Sequence, residues 1–249
     1  MLNITFLSPE FFKMSFEWTC VGLFLICLLH SFKTYGKERT IREFSAGFIL
    51  SAGCETLGVL SGAYVYPGFS IYLYQIPLVN PLSWVALVYL VMHISNTLIP
   101  AKRSSNSLWL FLLLAILDSS MALAVDLMMD PLATVYNWWI WVDPSEASVV
   151  NGTVDAYNFT NLTHLETPVN WLKDFYSSHF SVVRYPTHLF GIPLINFISW
   201  FVFVLVFSFQ FRLIENTPKL IGYKKTLWLL ILVLVEIPLL GILLITPNI

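Results

Sequence analysis

Asp126 and Asp130 stand four residues apart in the apolar run LDSSMALAVDLMMDPLATVYNWWIWVDP, which extends from Leu117 to Pro144. On a helix, residues at that spacing share a face, so the two carboxyls share a site. Asp118 is rotated about 80° from Asp126 at 100° per residue and points elsewhere. Two carboxyls close together in an apolar site retain a proton between them, and burial disfavours the ionised form. A carboxyl still protonated near neutral pH is a general acid. Glu55 extends the set. It falls in a stripe with Ser51, Gly58 and Gly62, at steps of four, three and four, so it lies on a face of small residues where a neighbouring backbone approaches closely.

Other readings of the same residues stay open. Asp130, followed by Pro131, fits a helix end at a membrane interface, and Glu55 and Asp126 fit interhelical hydrogen bonding. Asp118 fits a buried structural acid. The cluster of Tyr136, Trp138, Trp139 and Trp141 fits an interfacial aromatic belt, and His93 fits a packing residue. DLMMD also matches half of a diphosphate-and-magnesium site, but a partner Asp-rich motif and the basic residues that grip diphosphate are missing. No GxSxG-like serine is present, and neither CxxC spacing nor a helical His pair offers a metal or haem site. The expectation is no metal and no cofactor.

These residues must be positioned by a membrane bundle. Of 249 residues, 57% are hydrophobic, 16% aromatic and 11% charged, where an ordinary soluble domain has roughly 25% charged. A net charge of -2 gives no basic field for nucleic acid. The fold class read from this pattern is all-α, a polytopic integral membrane bundle of about six transmembrane helices. The apolar windows are Ser15 to Phe32, Glu43 to Gly62, Pro81 to Ile99, Leu108 to Met129, Gly191 to Phe211 and Thr226 to Ile245. The first is read as a retained helix, because its basic residues follow it rather than precede it.

No period of 20 to 50 residues repeats, and no linker divides the chain, so residues 1–249 read as one transmembrane domain. Two connections stand out. AYVYPGFSIYLYQIPLVNP, from Ala63, carries no charge and fits a small hairpin or re-entrant flap. Residues 131–190 form a long loop, in which WLKDFYSSHF from Trp171 fits a short interfacial helix.

Basic residues orient the bundle. Lys33, Lys37, Arg39 and Arg42, then Lys102 and Arg103, then Arg212, Lys219, Lys224 and Lys225 fall on one side, against Lys13, Lys173 and Arg184 on the other. By the positive-inside rule both termini and the long loop face outside a cell membrane. The sequons at Asn3, Asn151, Asn158 and Asn161 all fall on that outer side. Glu55, Asp126, Asp130 and Asn196 then share one depth in the outer half of the bilayer, with the tryptophans beside them. An acid inside a membrane costs at least about 2.5 to 3.5 kcal/mol on insertion scales, which makes these positions functional candidates.

Four segments carry a resemblance: ETLGVLSGAYVYPG, YQIPLVNPLSW, DLMMDP followed by YNWWIW, and FGIPLINFISW. Together they resemble the carotenoid biosynthesis membrane proteins that include bisanhydrobacterioruberin hydratase and carotenoid 1,2-hydratase. The likeness covers about Glu43 to Val142 and Leu189 to Arg212. It implies a hydrophobic carotenoid as substrate, in contact with membrane lipid, and hydration of the terminal double bond of a linear carotenoid to a tertiary alcohol. Protonation gives a tertiary cation, and water attacks it.

For that chemistry the candidates are Asp126 as acid, Asp130 or Glu55 as the acceptor of a proton from water, and Asn196 as the group that positions the water. Trp138, Trp139 and Trp141, with Tyr64, Tyr66, Trp84 and Trp200, would bind substrate, and an aromatic face attracts a transient cation by about 0.5 to 2 kcal/mol. The alternatives are a cyclase-type enzyme that quenches the same cation internally, and a non-catalytic carotenoid or lipid binder in which the carboxyls are interhelical glue.

Overall fold

A computed structural model describes residues 9–60, 64–66, 68–99, 107–136, 138–141 and 187–245. The described residues form an all-α bundle of six helices: α1 (Pro9–Tyr35), α2 (Lys37–Leu60), α3 (Val79–Leu98), α4 (Leu108–Val135), α5 (Leu194–Glu215) and α6 (Tyr223–Ile245). Among the described residues α1, α3, α4 and α5 are long and apolar enough to cross a membrane. That is consistent with a polytopic bundle and a multi-pass membrane protein. The charged start of α2, Lys37, Glu38, Arg39, Arg42 and Glu43, is helical rather than loop. The sequons, Lys102, Arg103, and the segment from Trp171 lie outside the described residues.

The helices differ in what they bury. α5 lies against α4 and α6, α2 against α6 and α3, and α1 against α3 and α2. Phe203, Val204, Phe207 and Phe211 of α5 form the middle of the core with Leu50, Met92, Ala122, Leu229 and Val233. α1 is peripheral and exposes Trp18, Ile26 and Leu29. Exposed apolar side chains of this kind are what a bundle in lipid presents.

The three short antiparallel ladders among the described residues lie at one end of the bundle. β1 (Tyr64–Val65) pairs with β4 (Ile140–Trp141), β2 (Tyr72–Leu73) with β3 (Ile76–Pro77), and β5 (His188–Leu189) with β6 (Ile192–Pro193). The hairpin expected after Ala63 is thus present as β2 and β3. Glu17 of α1 ties it down, accepting hydrogen bonds from Ser70 N at 2.8 Å and Ser70 Oγ at 2.6 Å.

The pairs β2–β3 and β5–β6 are two copies of one device. In each, a left-handed aromatic residue makes the turn, Tyr74 at φ 59° and Phe190 at φ 55°. In each, the residue after the proline closes back onto the residue before the first strand, Leu78 N to Ile71 O and Leu194 N to Thr187 O, both at 2.9 Å. The proline ends the strand, and a helix follows at once.

α4 continues through Pro131 to Val135. Asp130 is therefore inside the helix and buried, and is not at its end. Asp118 is fully buried and accepts from Arg212 Nη1 at 2.5 Å, while Arg212 Nη2 donates to Ser95 Oγ at 2.9 Å. Arg212 is thus a partner inside the bundle, and Arg42, which donates from Nε to Glu215 at 2.6 Å, is buried as well. Neither is the free loop charge that the basic count takes it to be.

Candidate active site

A cavity of about 290 Å³ opens at the hairpin end of the bundle. Each helix except α6 contributes to its wall. α2 ends there and places Glu55 in its last turns, α4 runs past it and places Asp126 and Asp130, and the first turn of α5 supplies Asn196. α3 begins there and adds Asn80, Ser83 and Trp84, and α1 adds Phe16, Thr19, Cys20 and Leu23. All four residues expected to carry chemistry come together in this cavity. Neither lysine, arginine nor histidine is among the described residues that line it.

The three carboxyls have different neighbours. Glu55 Oε2 accepts from both the Tyr64 hydroxyl, at 3.1 Å, and the Tyr66 hydroxyl. Burial and the adjacent Glu55 carboxylate push both phenols well above their ordinary range, so both remain donors. Tyr72 fixes this corner by donating its hydroxyl to the Tyr66 carbonyl. Gly58 is required here, because a methyl group on it would overlap the Tyr64 phenol. The small-residue stripe of α2 therefore admits a side chain from β1, where a neighbouring backbone was expected.

Asp130 Oδ2 accepts from Asn196 Nδ2, which joins α4 to α5. Asp126 is held least. Its Oδ2 is buried and has no hydrogen-bond partner among the described residues. A buried polar atom in a cavity wall is satisfied by whatever fills the cavity, water or ligand.

The aromatic residues divide. Trp84 and Trp200 stack face to face, with ring centroids 3.4 Å apart and planes within 11°. Trp139 lines the cavity edge-on to Tyr66 at 6.1 Å. Trp138 does not line it; its ring stacks on Phe16 at 4.6 Å and packs on Tyr136 at 5.9 Å, which makes it a structural member of the cluster. Trp141 contributes its backbone to β4, paired with Tyr64, and its side chain lies outside the description.

The cavity reaches the outer surface of the bundle between α1 and α4. Leu23 and Val125 line it and are also 36% and 41% exposed. Above this gap, towards the helix ends, Phe12 with Tyr136 and Phe16 with Trp138 close the two helices together.

Sequence reasoning missed Asn80, Ser83 and Cys20 as members of this site. A signal for the first two was available, since Asn80 and Ser83 belong to IPLVNPLSW, which matches IPLINFISW around the recognised Asn196. His93 is a packing residue, hydrogen-bonded through Nδ1 to the Tyr35 hydroxyl at 2.9 Å.

The model of a family described as "Carotenoid biosynthesis protein" matches residues 13–152, more than half of the chain. That stretch holds Glu55, Tyr64, Tyr66, Trp84, Asp126, Asp130 and Trp139, and ends before Asn196 and Trp200. No curated protein and no solved structure matches.

Proposed function

The chain belongs to the carotenoid biosynthesis protein family, and from that premise we propose that it is a hydratase, adding water to the terminal double bond of a linear carotenoid. The observation that carries this reading is the convergence of Glu55, Asp126 and Asp130 on one aromatic cavity whose described lining holds no basic residue. Carboxyls crowded without a counter-ion share protons, and a shared proton beside an oil-soluble alkene is what Markovnikov hydration needs.

Asp126, whose Oδ2 has no partner among the described residues, gives its proton to the less substituted alkene carbon. The electron pair of the double bond forms the new C–H bond and leaves a tertiary cation. Trp84, Trp200 and Trp139 present aromatic surface to that cation and keep the rest of the chain dry. A water oxygen attacks the cation, and its surplus proton passes to Glu55 or Asp130. Glu55 is oriented by Tyr64 and Tyr66, and Asp130 by Asn196. Proton exchange among the three carboxyls returns Asp126 to its acid form. The gap between α1 and α4 gives an apolar chain a way in from lipid, so that its reacting end lies among the acids while its tail remains in the bilayer.

Membranes containing the protein, incubated with lycopene in water enriched in heavy oxygen, without dioxygen and with chelator, should yield a labelled tertiary alcohol. A ringed product would instead support a cyclase, and unchanged pigment with retained binding would support a carrier. Dependence on dioxygen, or on a metal that reverses the effect of the chelator, would overturn acid-catalysed hydration.

A further inference from the structure

The two halves of the cavity wall are copies. Ile76-Pro77-Leu78-Val79-Asn80-Pro81-Leu82-Ser83-Trp84 and Ile192-Pro193-Leu194-Ile195-Asn196-Phe197-Ile198-Ser199-Trp200 agree at Ile, Pro, Leu, Asn, Ser and Trp. The agreement extends to backbone geometry. Both segments follow the same tight hairpin, with the left-handed aromatic and the closing 2.9 Å hydrogen bond in the same places. An aromatic residue held at positive φ is uncommon, and its repetition at matching positions marks a shared design.

The preceding elements match as well. α2 leads into β1 and α4 into β4, and these two strands pair antiparallel, Tyr64 with Trp141 and Val65 with Ile140. A two-residue antiparallel ladder is itself two-fold symmetric. The matching tryptophans, Trp84 and Trp200, stack on one another between α3 and α5. The unit helix, strand, hairpin, helix therefore occurs twice, and residues of both copies line the cavity.

Within this repeat Asn80 is the counterpart of Asn196. Both are buried, at 6% and 7% exposure, and both face the cavity. An asparagine in the first turn of a helix is usually explained by capping. The caps here are Leu78 and Pro193, which offer no side-chain oxygen, and the two asparagines lie beyond them. Their use differs: Asn196 spends its amide N–H on Asp130, whereas the Asn80 side chain makes no hydrogen bond among the described residues.

We infer that Asn80 is the oxygen-binding amide of the site, holding the water that enters and the tertiary hydroxyl that results. Asn196 positions Asp130. The inference rests on the hydratase reading. It transfers to Asn80 the water-positioning task that the sequence suggested for Asn196.

The test is binding, read separately from turnover. Protein in lipid nanodiscs is titrated with lycopene and, separately, with the tertiary alcohol formed by adding water across its terminal double bond, using quenching of tryptophan fluorescence. Asn80→Leu should weaken binding of the alcohol about five- to tenfold, the worth of one hydrogen bond, and leave lycopene binding unchanged. Asn80→Ser, which keeps a donor and an acceptor, should recover part of the loss. If Asn80→Leu does not fold, Asn80→Ala carries the same comparison. Equal effects on both ligands, or none on the alcohol, overturn the role of Asn80 and leave the hydratase reading standing. Failure of the unaltered protein to bind either ligand overturns both.

Discussion

The two ends of this bundle treat buried acid in opposite ways. Away from the hairpins, three carboxylates are matched with cations: Asp118 with Arg212, Glu215 with Arg42 and Lys225, and Glu43 with Arg39 at 3.8 Å, while Glu236 of α6 is buried and makes no ion pair among the described residues. At the hairpin end Glu55, Asp126 and Asp130 have phenols, an amide and a cavity for company. The first arrangement neutralises charge and joins helices. The second leaves charge unneutralised, which only a proton or a ligand can relieve. The same residue type joins helices where a guanidinium meets it and lines a cavity where none does.

Removing acid strength from the cavity should produce the largest effect. Asp126→Asn keeps the shape of the side chain, and activity on a linear carotenoid should fall about 10²- to 10⁴-fold while membrane insertion and thermal stability hold. Pigment mass analysis alongside a melting curve checks both halves, and a variant that is active but unstable would erase the contrast between the two ends. The mirror experiment is Arg212→Leu, which abandons Asp118 in the core and should cost about 3–5 kcal/mol of stability. The double variant Arg212→Leu/Asp118→Leu should regain most of it in detergent unfolding, since two well-packed apolar side chains replace a buried pair at little cost. Persistent instability of the double variant would mean that the pair does more than neutralise itself.

Smaller effects sharpen the comparison. Gly58→Ala should cost about 1–3 kcal/mol by forcing the Tyr64 phenol away from Glu55, and truncation of Tyr64 to Ala in the same chain should relieve the strain. Smallest of all, Lys225→Ala should change stability by under about 1 kcal/mol, because Lys225 is only partly buried and Arg42 still meets Glu215.

How much of this was legible in the sequence depended on range. Helix existence was legible, because twenty apolar residues in a row have few other outcomes. The shared face of Asp126 and Asp130 was legible because α4 remains regular through Pro131. Three features were not. The Asp118–Arg212 pair joins residues far apart in the chain, and nothing local in either segment names the other. The displacement of Trp138 from the cavity depends on Phe16, which arrives from α1. The phenol pair on Glu55 required the chain to fold back after α2: Tyr64 and Tyr66 line the cavity, and their hydroxyls also donate to that carboxylate, a partner that nothing local names. The duplicated hairpin was written in plain letters, but at a separation of 116 residues it escapes a search for periods of 20 to 50.

The stacked indoles of Trp84 and Trp200 also give the bundle an optical property. Two chromophores 3.4 Å apart and nearly parallel exchange excitation, so their absorption and near-ultraviolet circular dichroism belong to the pair and not to either ring. α3 and α5 each supply one ring. Any slight separation of these helices, whether from a ligand wedging between them or from the first stage of unfolding, would uncouple the indoles and change the colour of the protein in the near ultraviolet before a helix is lost.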